Sequence, residues 1–161
     1  MTEQEYNNCV EKHADNVYRF ILKNIKDEDK ASDIVQDAYE KMWNHRKDIN
    51  SEKSKSYLFT TAYHVLVDFT RKEKKQVSME EVVLPNLYDD RNYSDLGEAL
   101  NKAVDLLPSA QKMALMLRDY EGYSYEEIEK ITGLSESQVK VYIYRARLFL
   151  KNYIGKPEMV L

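Results

Sequence analysis

Apolar residues recur at helical spacing along most of this chain, and the pattern predicts seven helices, over about 3–24, 28–46, 54–74, 95–106, 109–121, 124–131 and 136–153. In the second of these, Ile34, Val35, Ala38, Met42 and Trp43 form one stripe, while Asp33, Gln36, Asp37, Glu40 and Lys41 form the polar face. The third is dense in aromatics, from Tyr57 to Phe69, and ends in the basic run Arg71, Lys72, Lys74 and Lys75, interrupted by Glu73. In the last, Val139, Ile143, Ala146 and Leu150 recur on one side and are expected to face inward. The pattern breaks from Gln76 to Asn92, where Pro85 and paired acids leave no sustained period. Such a stretch is long for a connection inside a compact bundle. The expected architecture is therefore all-α: two small helical domains, about 1–75 and 95–155, joined by a flexible acidic linker over about 76–94.

The ends of the last two helices are encoded locally. Ser124 with Glu127, and Ser135 with Gln138, each fit a capping box, in which a hydroxyl and a side-chain carbonyl oxygen satisfy two backbone N–H groups reciprocally. Gly133 stands between them, where a helix commonly ends on a left-handed residue. A short helix, a tight turn and a longer helix make up a helix-turn-helix, whose second helix enters the major groove. Glu136, Ser137, Gln138, Lys140, Val141 and Tyr144 lie off the apolar stripe in the half that would touch base edges. Lys140, Arg145, Arg147 and Lys151 supply charge for phosphates. Taken alone, the segment is equally an amphipathic hairpin with a solvated basic face.

Charge complicates a DNA reading. Lys and Arg total 24 against 28 Asp and Glu, a net charge of −4, whereas neutralising phosphates supplies much of the affinity of a simple nucleic-acid binder. Any DNA contact must then be local, or assisted by a larger partner. The aromatic–basic third helix suits single-stranded nucleic acid, with bases stacked on rings and cations on phosphates. It equally suits a helix with a buried aromatic side and cations complementing the dipole, and composition alone favours the latter. One cysteine, Cys9, excludes an internal disulfide or a cysteine-rich zinc site and is expected in or near the core. His13, His45 and His64 show no metal spacing, and no nucleophile–base pair or phosphate loop appears, so neither an enzyme, a metal nor a cofactor is expected. No apolar run approaches the roughly 20 residues of a membrane span, and the polar, acidic N-terminal stretch is unlike a signal peptide. A cytoplasmic protein without membrane insertion is the expectation.

In order along the chain, these pieces resemble a bacterial extracytoplasmic-function sigma factor of the sigma-70 family. Asp33-Ile34-Val35-Gln36-Asp37 through Trp43 is similar to the DIVQ…W segment of sigma domain two, and Ser56-Tyr57-Leu58-Phe59 through Asp68 and Arg71 to its FxxWLxxIARNxxxDxxR segment. Leu107-Pro108, Gln111, Leu117-Arg118, Glu121-Gly122 and Ser124-Tyr125-Glu126-Glu127-Ile128 are similar to the LPxxxR…LRxxEGxSYEEIA run of sigma domain four. Ser135, Val139, Lys140, Arg145-Ala146-Arg147 and Leu150 complete its helix-turn-helix. There are departures. Tyr63 and His64 replace the usual Arg and Asn, Tyr57 the usual Trp, Glu129 a small Ala, and Tyr142 a frequent Arg.

The resemblance implies a subunit that binds core RNA polymerase and directs it to promoters. Asp33, Gln36, Asp37 and Glu40 would dock on the clamp helices of the β′ subunit, and the C-terminal domain on the β flap. Arg46, Lys55, Tyr57, Tyr63, His64, Arg71 and Lys72 would melt and hold the −10 region. Glu136, Ser137, Gln138, Lys140, Val141, Tyr144, Arg145 and Arg147 would read or grip the −35 duplex, with Gln138 the best-equipped reader of adenine. Glu80, Glu81, Asp89 and Asp90 in the linker would imitate nucleic acid along the polymerase's RNA path. An anti-sigma factor is a further expected partner. The alternative is a free-standing helix-turn-helix regulator binding an operator as a dimer, which leaves the 33–43 segment without a purpose. A helical interaction protein that merely keeps the fold is a third reading.

Overall fold

The computed structural model describes residues 1–76 and 96–155. The linker candidates Glu80, Glu81, Asp89 and Asp90, and the side chains of Lys74 and Lys75, lie outside the described residues.

The described residues form helices and turns, with no strand among them. Helix α1 (Glu3–Ile25) opens on a capping box between Thr2 and Glu5 and closes at Lys26, a non-glycine residue at φ 56°. Asp27 then caps α2 (Glu28–Asn44), its carboxylate accepting the Lys30 N–H at 3.1 Å. Two short 3-10 turns, Arg46–Asp48 and Ser51–Lys53, lead into α3 (Ser54–Gln76). The second turn is held by Asn50, whose side chain accepts the Glu52 N–H. Helices α1 to α3 pack as a three-helix bundle around Val17, Phe20, Ile21, Ile34, Val35, Ala38, Met42, Leu58, Phe59, Ala62 and Leu66, all of them buried. Each large side chain fully removed from water contributes about 1.5–3 kcal/mol before the cost of ordering it. Cys9 is buried, as expected, and its thiol is held above its ordinary range by that burial. Trp43 is only half-buried, because it lies at the bundle's margin with Tyr6 edge-on at 4.9 Å and the Arg46 guanidinium 3.7 Å over its ring.

The C-terminal half comprises α4 (Leu96–Asp105), α5 (Ser109–Leu115), α6 (Tyr125–Thr132) and α7 (Glu136–Ile154). Helix α5 runs on into a π-helical segment, Met116–Tyr120, where the Glu121 N–H reaches the Met116 carbonyl at 3.1 Å. One wide turn of this kind rotates the faces of the residues after it. It is why the predicted single helix over 109–121 is two geometries in the structure. Val104, Leu107, Leu115 and Ala146, with Leu100 and Leu150 beside them, hold α4, α5 and α7 together.

The two expected halves are present, and they also share one core. Ala114, Met116, Leu117, Tyr123, Ile128, Ile131, Val139 and Ile143 join the apolar cluster of the N-terminal bundle. Helix α6 packs across α3, and the Tyr123 ring meets Phe59 edge-on at 5.6 Å. Polar contacts frame this seam: Lys55 with Glu121 at 3.9 Å, and Lys23 and Lys26 with Asp105 at 3.0 and 3.8 Å. Lys112 is buried at the same seam, donating to the Lys23 carbonyl at 3.4 Å.

Candidate nucleic-acid interface

Helix α7 is fixed at its start and anchored in its middle. The Ser135 hydroxyl accepts the Gln138 N–H at 3.2 Å, and the Gln138 side-chain oxygen accepts the Ser135 N–H at 3.0 Å. The preceding α6 carries the same device between Ser124 and Glu127, at 3.1 and 2.9 Å. Gly133, between the two helices, adopts φ 79°, a left-handed backbone that disfavours any residue with a Cβ. The chain therefore leaves α6 and enters α7 at one defined angle. Val139, Ile143 and Ala146 are buried, which turns Glu136, Ser137, Gln138, Lys140, Val141, Tyr144, Arg145 and Arg147 to the exposed side. All eight −35 candidates thus lie off the buried stripe, on the open side of one helix.

They are not equally free. Besides capping α7 with its side-chain oxygen, Gln138 keeps only its amide NH2 for a base edge. Lys140 lies 3.6 Å from the Glu136 carboxylate and 5.6 Å over the Tyr125 ring. Arg147 makes a two-pronged contact with Asp119, at 3.2 and 2.5 Å, which raises its pKa further. That contact braces α7 on the π-helical segment. Glu129 is exposed, so the side chain that replaces a small residue there points away from the helix–helix contact.

The −10 candidates are divided by α3. Tyr57, His64 and Arg71 fall on one face at intervals of seven residues, with Lys72 adjoining it. His64, Arg71 and Lys72 are exposed, and Tyr57 is half-buried. Asp68 stands on the same face, 3.9 Å from Arg71. Tyr63 lies to the side of this face, edge-on to His64 at 5.7 Å, and its burial raises the phenol pKa. Lys55 is on the opposite side, under the C-terminal half, where its ammonium is 4.9 Å over the Tyr123 ring and bonded to the Glu121 carbonyl at 3.4 Å. Arg46 is on the 3-10 turn, stacked on Trp43 and donating to its carbonyl at 3.0 Å. The structure therefore gathers four of the seven along α3, sets Tyr63 at the flank, and leaves Arg46 and Lys55 apart.

On α2, Asp33, Gln36, Asp37 and Glu40 are all exposed while Ile34, Val35, Ala38 and Met42 are buried. The sequence thus separates an open acidic face from a sealed apolar one.

Comparison with known proteins places this geometry. Residues 9–76 match the family model for sigma-70 region 2, and residues 97–150 that for sigma-70 region 4. Over 152 residues the chain is 30% identical to the RNA polymerase sigma factor SigV of Bacillus subtilis, covering 94% of this chain and 92% of that one. The chain belongs to the extracytoplasmic-function sigma factors of the sigma-70 family. It is also 29% identical over 144 residues to the sigma factor SigM of Bacillus subtilis, covering 86% and 88% of the two chains. The fold is similar to that of the sigma factor RpoE from Bartonella quintana, solved in complex with the anti-sigma factor NepR. The TM-score is 0.77 at 22% identity, over 96% of this chain and 99% of that one.

Region 2 in this sigma factor comprises most of α1 and all of α2 and α3, and region 4 runs from α4 into α7. Three contributors to the interface carried no signal in the periodicity: Asp119, which anchors Arg147; Tyr125, whose ring also lies 4.5 Å from the Arg118 guanidinium; and Glu121, which faces Lys55. Glu121 and Tyr125 were visible only as letters in a motif, and Asp119 had no signal at all. No helix among the described residues is long and apolar enough to cross a membrane, and no cluster of candidate metal ligands occurs among them.

Proposed function

We propose that this sigma factor works through three separate open faces: the acidic face of α2, the outward face of α3 and the basic side of α7. The first would dock on the β′ clamp helices of core RNA polymerase, through Asp33, Gln36, Asp37 and Glu40. The second would hold the opened −10 strand, with Tyr57 and His64 as stacking surfaces and Arg71 and Lys72 as phosphate contacts. The third would place α7 in the major groove of the −35 element, while region 4 rests on the β flap. The observation that carries this reading is the pairing of opposite chemistries with the two family regions. The α2 face of region 2 is open and acidic, and the α7 face of region 4 is open and cationic.

Division of labour also accounts for a negative DNA-directed subunit. The polymerase supplies much of the phosphate contact, so the sigma factor needs cations only where it reads. Because a sigma factor of similar fold was solved with an anti-sigma factor, a protein inhibitor of that class is a further proposed partner, and a cytoplasmic location follows from the polymerase as target.

Run-off transcription with core polymerase over a promoter pool tests the reading. Initiation at a defined promoter set should require this chain. Reversing charge on α2, with Asp33→Lys and Asp37→Lys together, should abolish co-elution with core while the helix content stays unchanged. Undiminished core binding by that variant would remove α2 from the docking role.

A further inference from the structure

Directly opposite the buried stripe of α7, Ser137, Val141, Tyr144 and Leu148 follow one another at helical spacing. Val141, Tyr144 and Leu148 are 41%, 66% and 44% exposed, so beyond Ser137 the outermost edge of the recognition helix is apolar and aromatic. The two longest groups near the helix start that could read bases through hydrogen bonds are already engaged. Gln138 gives its side-chain oxygen to the Ser135 N–H, and Lys140 sits between the Glu136 carboxylate and the Tyr125 ring. Arg145, exposed beside the edge, and Lys140 flank it as cations suited to the phosphates on either side of a groove. In the major groove one unmodified base offers an apolar group, the C5-methyl of thymine, and apolar side chains are what recognise it.

We propose that Val141 and Tyr144 are the specificity-determining residues of α7, and that they select thymine in the −35 element by burying its C5-methyl. This rests on the reading of α7 as the helix that enters the major groove. Val141 and Tyr144 are about 4.5 Å apart along the helix axis, comparable to the roughly 3.4 Å between successive bases of a strand, so the pair spans one or two neighbouring thymines. Gln138 becomes a brace of the helix start rather than the principal reader of adenine.

The test uses holoenzyme assembled from core polymerase and the full chain. A promoter pool with a randomised −35 region is selected first. Each thymine fixed in the selected element is then replaced by deoxyuridine, which lacks only the methyl. At least one such replacement should lower initiation about three- to fivefold, the worth of one buried methyl group. The difference should vanish at that position in a Val141→Ala, Tyr144→Ala double variant and persist in Val141→Ile. Both side chains are exposed, so their truncation leaves the fold intact, and unchanged thermal melting confirms this. A selected element with no fixed thymine, indifference to deoxyuridine at every position, or a methyl effect that survives the double variant would each overturn the proposal. A holoenzyme that initiates but selects no −35 sequence would overturn the underlying placement of α7 as well, and is distinguished from the others at the selection step.

Discussion

Helices α3 and α7 both carry nucleic-acid candidates, and they differ in what covers them. Helix α7 packs chiefly on α4, α5 and α6 of its own half, and its side opposite that anchor is open from Ser137 to Leu148. Helix α3 has a face in its own bundle, a second face under α6 of the other half, and only a strip between them that is open. One helix is a proposed reader on a support built mostly from its own half. The other is a proposed reader that is also the seam between two regions of the family fold. Under the proposed roles, exposed residues on the open side of α7 that make no brace to other helices should be changeable with effects on DNA alone, while residues on α3 answer to DNA and to the seam together.

The strongest way to break this contrast is at Phe59, which is fully buried with Phe20 at 5.8 Å on one side and Tyr123 at 5.6 Å on the other. Phe59→Ala is expected to cost about 3–5 kcal/mol, the loss of a large ring from a close-packed site. Because Tyr123 belongs to the C-terminal half, amide exchange should quicken in α6 as well as in α1 and α2. If exchange in α6 stayed at its original rate, the shared core would be energetically idle and the two halves would be independent.

On α7 the opposite signature is expected. Replacing Lys140 and Arg145 together with Ala should leave stability within about 0.5 kcal/mol, since both are exposed. Holoenzyme binding to promoter should weaken roughly five- to tenfold per cation near 0.1 M salt, and the dependence of log affinity on log salt should flatten by about one for each. A salt dependence equal to that of the unaltered protein would show that these cations touch no phosphate.

Much of this was legible in the residues, and the reasons for the exceptions are physical. The capping boxes at Ser124 and Ser135 and the turn at Gly133 are local devices, so the starts of α6 and α7 were foreseeable from a few letters. The buried stripes Ile34–Met42 and Val139–Ala146 follow from period alone. Helix α2 stops at Asn44 rather than 46 because the chain turns there into a 3-10 segment, with the Arg46 guanidinium laid back on Trp43. The π-helical segment is a matter of one wide turn, and no spacing in 109–121 announces it. The seam was out of reach for another reason. Phe59 and Ile128 have the periodicity of ordinary core residues, and periodicity says that a face is covered without saying by what. For the same reason the seven −10 candidates formed one set in the sequence, yet the structure sends Lys55 to the side facing Glu121.

A smaller effect tests whether the start of α7 is pre-set by its cap. Ser135→Ala removes the acceptor of the Gln138 N–H and is expected to cost about 1 kcal/mol in chemical denaturation. Its effect on promoter discrimination should exceed that of Ser124→Ala, which loses an equivalent cap one helix earlier. Equal effects would mean that the start of α7 is held by packing and that its cap is redundant.

The smallest effect probes the seam where it meets DNA chemistry. Burial holds the Glu121 carboxyl above its ordinary range, and the cations of Lys55 and then Arg19 oppose that. A raised folded value means that the folded state takes up the proton more readily than the unfolded chain. The contribution of Glu121 to stability therefore declines as pH rises from the ordinary carboxylate range through the folded value. Lys55→Met removes the stronger opposing cation, so that decline should extend further toward neutral pH. The stability difference between the unaltered protein and Lys55→Met should then be small in acid and grow toward neutrality, up to about 1 kcal/mol for a pair that retains access to solvent. In a Glu121→Gln background the pH dependence of that difference should disappear. A difference that ignores pH in both backgrounds would mean that Lys55 acts there through its contacts with the Phe59 and Tyr123 rings. Its ammonium would then be held at the seam without Glu121, and swapping that carboxylate for a promoter phosphate would cost the seam nothing.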